Sequence, residues 1–91
     1  MKKIVIYSQQ GCGYCVELKN ILEQNGVPFT ISDIDDKKND WQVISESTGN
    51  EYVPQVLIVN SVDESAKILA PDRDFDDVSE CAQHIMTELY E

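Results

Sequence analysis

The chain has few cysteines and no long apolar run, and each shortage excludes a class of protein. Its 91 residues include three cysteines, too few for the disulfide framework that stabilises many small secreted proteins. The longest apolar runs, residues 4–7 and 56–59, are far shorter than the roughly 20 residues that a membrane-spanning helix needs. The basic pair Lys2-Lys3 is followed by no stretch long enough for a secretory signal. These absences predict a cytoplasmic protein without a membrane partner.

Positive charge is scarce as well. Seven lysines and arginines stand against 17 aspartates and glutamates, which gives a formal net charge of -10 at pH 7. An acidic surface repels nucleic acid and anionic lipid, so neither is expected as a partner. The excess acid either keeps a small protein soluble or attracts a basic partner surface, and both interpretations stay open. With a single histidine and only one C-x-x-C, no metal site is expected.

The patterning of apolar residues predicts strands and helices in the order βαβαββα. No repeat or linker divides the chain, so residues 1–91 are expected to form a single domain. The first crossover should make strands one and two parallel, and the final hairpin should be antiparallel. A four-stranded mixed sheet with helices on both faces is therefore predicted. The strands are expected near residues 3–8, 29–33, 55–60 and 66–69, with a turn at 61–64, and the helices near 13–25, 37–47 and from 74–77 to 90.

Four positions outside the motifs carry specific expectations. In the second helix Trp41 and Ile44 should face inward, with Val43 as a further candidate. In the third helix Cys81 lies beside apolar residues and is interpreted as a structural thiol.

The strongest motif is Cys12-Gly13-Tyr14-Cys15, which lies where the first strand gives way to a helix N-terminus. The first amides of a helix have no intrahelical partner, and the helix dipole is positive there. A thiolate at this position is stabilised, and the thiolate is the reactive form of cysteine. A C-x-x-C beside a βα pattern is typical of a thioredoxin-like redox pair.

A second motif, residues 52–56 with the sequence Tyr-Val-Pro-Gln-Val, stands just before the third predicted strand. Combined with residues 12–15, and with residues 6–8 at the usual distance before them, it resembles the glutaredoxin family. The matching family segments commonly read C-P-Y-C and T-V-P-Q. The resemblance covers essentially the whole chain and implies a thioredoxin-like α/β fold.

The resemblance also implies an activity. The protein would be a dithiol oxidoreductase, regenerated by glutathione, that reduces protein disulfides or glutathione mixed disulfides. Cys12, nearer the helix start, is expected to attack the substrate disulfide, and Cys15, one turn further in, to resolve the mixed disulfide. Family members serve ribonucleotide reductase among other acceptors, and a monomer is expected.

The resemblance assigns a binding groove around the cysteines. It implies that Pro54 follows a cis peptide bond and that the backbone of Val53 pairs with the substrate peptide. Tyr14 is expected to flank the groove. Asp76 matches the acidic residue that binds the amino group of glutathione in the family.

The chain departs from the family at Gln9, at Gly13 and at the pair Arg73-Asp74, which replaces the Gly-Gly that many members carry where the γ-glutamyl end of glutathione approaches the backbone. Gln9 stands where many members carry a basic residue for the glycine carboxylate of glutathione, and Arg73 is a candidate replacement for the missing charge. Gly13 replaces the commoner proline, which adds a backbone N–H near the Cys12 sulfur. These departures leave two alternatives open. The protein could draw electrons from a thioredoxin reductase, or it could hold a [2Fe–2S] cluster between two protomers through Cys12 and glutathione.

Overall fold

A computed structural model describes residues 2–90, and its elements follow the predicted order. The strands are β1 (Lys2–Ser8), β2 (Thr30–Asp33), β3 (Gln55–Asn60) and β4 (Ser65–Leu69), and the helices are α1 (Gly13–Gln24), α2 (Lys38–Thr48) and α3 (Val78–Tyr90). The first six elements begin and end within one residue of the predicted limits. Helix α3 begins later than predicted, because the carboxylate of Asp77 accepts a 2.8 Å hydrogen bond from the Glu80 amide and so caps the helix.

The strands form a mixed sheet in the order β2-β1-β3-β4 within residues 2–90. Strand β1 is parallel to β2, with Ile6 opposite Ile31, and antiparallel to β3, with Tyr7 opposite Gln55. Strands β3 and β4 form an antiparallel hairpin around the turn at residues 61–64. The predicted topology, including the parallel first pair, is confirmed.

Alternate residues of β1 enter two different cores. Ile4 and Ile6 pack on one face of the sheet, and Val5 and Tyr7 pack on the other. Helices α1 and α3 cover the first face, and α2 covers the second, so the prediction of helices on both faces is confirmed. The fully buried members of the first core include Ile6, Leu18, Leu22, Val56, Cys81 and Ile85.

The second core is smaller and is built around an aromatic pair. The rings of Tyr7 and Trp41 lie 6.1 Å apart, and Ile44 of α2 packs with them. The expectation that Val43 also faces inward is wrong, because its side chain is 63% exposed. At 3.6 residues per turn, positions 41 and 44 share a helix face, whereas position 43 points away from that face.

Three segments meet at one end of the sheet. The chain leaves β1 there to enter α1, and it enters β3 there because β3 runs antiparallel to β1. Strand β4 also ends there, with Leu69 opposite Val56, and the loop at residues 70–77 follows. The C-x-x-C, the Val-Pro and the loop before α3 are therefore neighbours. Over residues 2–90, no helix combines the length and apolar character needed to cross a membrane.

Candidate active site

Cys12 and Cys15 are joined by a disulfide at the start of α1, with their Cα atoms 5.3 Å apart. Cys12 is the N-cap residue, and its sulfur accepts a hydrogen bond from the Cys15 amide at 3.1 Å. Cys12 is partly exposed, whereas Cys15 is 4% exposed. The two sulfurs thus differ in accessibility, and an incoming group meets Cys12 first.

The turn that leads into the cysteines depends on Gly11. This residue has a φ of +81°, in a region that side chains with a Cβ rarely adopt. The turn is closed by the Cys12 amide, which donates to the Gln9 carbonyl at 3.2 Å. This local geometry brings Cys12 to the surface at the helix N-terminus.

The Val53–Pro54 peptide bond is cis, which confirms what the resemblance implied for Pro54. Pro54 is buried and Val53 is half-buried beside the cysteines. Within residues 2–90, neither the amide nor the carbonyl of Val53 forms a hydrogen bond. Both groups are therefore free to pair with the backbone of a bound peptide.

Two adjoining hollows flank the disulfide and share Tyr14, Tyr52 and Val53. The first, of about 460 Å³, is called the cysteine hollow, and its further lining residues include Gln9, Cys12 and Glu51. The second, of about 370 Å³, is called the acidic hollow, and its further lining residues include Pro54, Asp72, Phe75, Asp76 and Asp77. The structure thus places Gln9, Tyr14 and Val53 on the hollow that Cys12 also lines, and Pro54 and Asp76 on the adjoining acidic hollow.

Arg73 is the exception among the predicted groove residues, because it lines neither hollow. Its guanidinium donates to the Ile68 carbonyl at 2.6 Å and pairs with the Asp74 carboxylate at 2.7 Å. The same carboxylate accepts a 2.8 Å hydrogen bond from the Ala70 amide. Burial alone would raise the pKa of Asp74, but the hydrogen bonds from Arg73 and Ala70 outweigh it and lower that pKa. Arg73 therefore fastens the loop to β4 and does not supply the cation expected in the groove.

A buried amide network holds the two walls of the acidic hollow together, and the sequence analysis missed it. The Gln55 side chain is fully buried, and its Nε2 donates to the Asn50 Oδ1 at 2.7 Å and to the Tyr52 carbonyl at 3.0 Å. Asn50 Nδ2 in turn donates to the Pro71 carbonyl at 3.2 Å. The one available signal was a glutamine directly before the apolar run at residues 56–59, since a buried polar group needs partners.

The charge around the hollows has a single sign. None of the seven lysines and arginines, all within residues 2–90, lines either hollow. The lining includes four exposed acidic residues, Glu51, Asp72, Asp76 and Asp77. Ion pairs among the described residues use the carboxylates of Glu88 and Asp74 instead. The groove therefore presents negative charge to whatever approaches the disulfide.

The third cysteine, Cys81, lies in α3 with no exposed surface. Burial, with a smaller contribution from the charge of Asp74, raises the pKa of its thiol to about 12. A thiol in this environment stays protonated and packs as a small apolar group. This agrees with its interpretation as a structural residue.

A sheet flanked by helices on both faces, with a disulfide at the first helix N-terminus and a cis-proline before β3 at the same end of the sheet, defines a dithiol protein of the thioredoxin-like fold. The family model for glutaredoxin matches residues 4–62, and the chain belongs to the glutaredoxin family. The match includes both the C-x-x-C and the Val-Pro.

Individual curated proteins are also similar to part of this chain. N-acetyl-S-hydroxy-L-cysteine reductase of Bacillus subtilis is 38% identical over 55 residues, which cover 60% of this chain and 59% of that protein. The chain spans about half the length of the curated relatives it matches.

Two solved structures extend the comparison. The buckwheat glutaredoxin–glutathione complex has a TM-score of 0.53 and 28% identity, covering 60% of this chain and 53% of that one. Thioredoxin of Trichomonas vaginalis has a TM-score of 0.61 at 22% identity, covering 99% of this chain and 79% of that one, and it supports the fold alone.

Proposed function

We propose that this protein is a thiol–disulfide oxidoreductase that reduces protein disulfides and glutathione mixed disulfides through Cys12 and Cys15. The observation that supports this most directly is the unequal exposure of the two sulfurs of one disulfide at a helix N-terminus. Membership of the glutaredoxin family supports the same chemistry.

In the proposed reaction the protein begins with both thiols reduced. The Cys12 thiolate attacks one sulfur of the substrate disulfide, a new S–S bond forms, and the other substrate sulfur leaves as a thiolate that takes up a proton. The Cys15 amide, which donates to the Cys12 sulfur, would stabilise the attacking thiolate together with the helix dipole. A favourable charge at an exposed helix N-terminus is worth up to about 1 kcal/mol.

The second step releases the product. Cys15, one helical turn away, loses its proton and attacks the Cys12 sulfur, so that the Cys12–Cys15 disulfide forms and the second substrate thiol leaves. One substrate disulfide is reduced to two thiols, and the protein dithiol is oxidised by two electrons. Two glutathione molecules would then restore the dithiol and become glutathione disulfide.

Glutathione dependence rests on the family and on the neighbouring structure whose name records a glutathione complex. Tyr14, Val53, Pro54 and Asp76 line the hollows in which it would bind. Gln9 would contribute a neutral hydrogen bond, and charge-assisted hydrogen bonds are roughly twice as strong. Because no lysine or arginine lines the hollows, electron supply by a thioredoxin reductase is the second candidate.

A coupled assay separates the two electron donors. NADPH oxidation is followed with a peptide disulfide as acceptor, first with glutathione and its reductase, and then with thioredoxin reductase alone. The glutathione proposal expects turnover only in the first system, with an apparent KM for glutathione that Gln9→Lys lowers several-fold. Turnover only with thioredoxin reductase would reverse the order of the candidates, and turnover with neither would contradict the proposed activity.

The proposed partners are disulfide-bearing proteins and glutathione. The resemblance makes ribonucleotide reductase one candidate acceptor, and cytoplasmic thiols would keep the pair reduced between turnovers. We propose that the protein works as a single-domain monomer, since one chain contributes both sulfurs and both hollows.

A further inference from the structure

We infer that the preferred substrates are peptide or protein disulfides whose cysteine is flanked by lysine or arginine, and that the acidic lining of the two hollows sets this preference. The inference rests on the proposed oxidoreductase function and assigns the substrate class to that site. It depends on three independent observations around the disulfide, which concern charge, aromatic surface and free backbone groups.

The first observation is the one-sided charge of the groove. Glu51 lies on the cysteine hollow, and Asp72, Asp76 and Asp77 lie on the acidic hollow. Among these four, Asp77 also caps α3, whereas no ion pair within the described residues involves any of them. A cleft lined by one sign of charge raises the local concentration of oppositely charged ligands.

The second observation is that two exposed aromatic residues line the same hollow as Cys12. Tyr14 is 67% exposed and Tyr52 is 63% exposed, and both line the two hollows. An exposed tyrosine face attracts an ammonium or guanidinium group, and the aliphatic part of a lysine or arginine covers apolar surface. Aromatic rings beside carboxylates therefore favour basic side chains over acidic ones.

The third observation indicates that the basic side chains belong to a bound peptide. The free amide and carbonyl of Val53 lie beside Cys12, where they can pair with an extended backbone. A substrate cysteine held there would place its neighbouring side chains over the two hollows. Basic neighbours would meet the carboxylates, and acidic neighbours would be repelled.

The test uses three disulfide-linked dimers of blocked tripeptides, with the sequences Lys-Cys-Lys, Gln-Cys-Gln and Glu-Cys-Glu. The reduced protein, freed of reductant, is mixed with each dimer, and one turnover is followed by acid quenching and mass spectrometry. Each rate constant is divided by that of dithiothreitol with the same dimer, which removes differences in intrinsic reactivity. We expect the corrected rates to fall in the order Lys, Gln, Glu, spanning about tenfold at low salt. This span should shrink towards unity at about 1 M salt, where the screening length is about 3 Å.

The decisive comparison is between two double variants that remove the same charge. Glu51→Gln/Asp72→Asn acts in the hollows, and asparagine tolerates the positive φ of Asp72, which is 64°. Glu23→Gln/Glu64→Gln is the matched control. Glu23 lies at the C-terminal end of α1 and Glu64 lies in the β3–β4 turn, and both places are away from the disulfide. Exposed pairs are each worth a factor of about two to five, so the Lys-to-Glu rate ratio should fall about fivefold in the first variant only. If the double variant does not fold, Asp72→Asn alone should lower the ratio about twofold.

The outcomes separate this inference from the function on which it rests. An unchanged Lys-to-Glu ratio in the hollow variant, or an equal fall in the control, would overturn the inference while leaving the oxidoreductase intact. If wild-type protein reduces the Gln-Cys-Gln dimer no faster than Cys12→Ser does, the proposed function fails and takes the inference with it.

Discussion

Cys12 and Cys81 are the same amino acid in two opposite environments. Cys12 caps α1, is partly exposed and accepts a hydrogen bond from the Cys15 amide. Cys81 lies in the first turn of α3, but it has no exposed surface, and burial raises the pKa of its thiol to about 12. The difference shows that placement, rather than residue type, determines which thiol can become a nucleophile.

Replacing each thiol with a hydroxyl should have the largest effect on the contrast between Cys12 and Cys81. We expect Cys12→Ser to abolish reduction of a peptide disulfide, because no exposed thiol remains to attack. The matched variant Cys81→Ser should retain a rate near that of wild type, since Cys81 is buried and lines neither hollow. Both rates are measured in the coupled assay, with circular dichroism to confirm folding. A large loss of rate in well-folded Cys81→Ser would overturn the division of roles.

Removing the Cys15 sulfur should stop one of the two proposed reactions and leave the other. Cys15→Ser should stop reduction of peptide disulfides, because the mixed disulfide on Cys12 can no longer be resolved from within the protein. Removal of glutathione from a mixed disulfide should persist, since a second glutathione molecule can complete it. The two substrates are compared in parallel assays. Full peptide disulfide reductase activity would mean that another thiol resolves the intermediate, with Cys81 the one to test.

The buried thiol should be visible in the pH dependence of stability. Its folded pKa of about 12 lies well above that of an exposed thiol, so its contribution is complete below about pH 9 and is lost as pH rises towards 12. At about pH 10.5 the loss would be roughly 2 kcal/mol in the free energy of unfolding. Urea unfolding of the oxidised protein at about pH 8 and pH 10.5 measures this. The decrease should be smaller by that amount in Cys81→Ala, and an identical decrease would contradict the assigned environment.

Most of the fold follows from local patterns. Residues 4–7 and 56–59 are consecutive apolar residues, which predicts strands covered on both faces. In the structure the side chains of residues 4–7 and 56–58 alternate between two cores. The position of the C-x-x-C at a helix N-terminus can be predicted from the sequence, because the strand before it and the helix after it are its neighbours in the chain. The cis peptide before Pro54 came from the family resemblance, since X–Pro bonds are usually trans.

Long-range contacts account for what the sequence did not predict. The Asn50 side chain donates a hydrogen bond to the Pro71 carbonyl, 21 residues further along the chain, and no local sequence pattern predicts that hydrogen bond. The direction of Arg73 depends on a tight turn in which its amide donates to the Ala70 carbonyl and Asp72 has a positive φ. Alignment by motif placed Arg73 in the groove, but turn geometry directs its side chain back to β4.

The most direct test of the account is the rate of alkylation of each thiol as a function of pH, measured on reduced Cys15→Ser protein with iodoacetamide and peptide mass spectrometry. Cys12 should be modified rapidly, with its rate reaching half-maximum well below the ordinary thiol value of about 8.5. Cys81 should remain unmodified over the same range and react only when urea unfolds the chain. A half-maximum for Cys12 at the ordinary value, or modification of Cys81 in the folded protein at a similar rate, would contradict the claim that placement separates the two thiols.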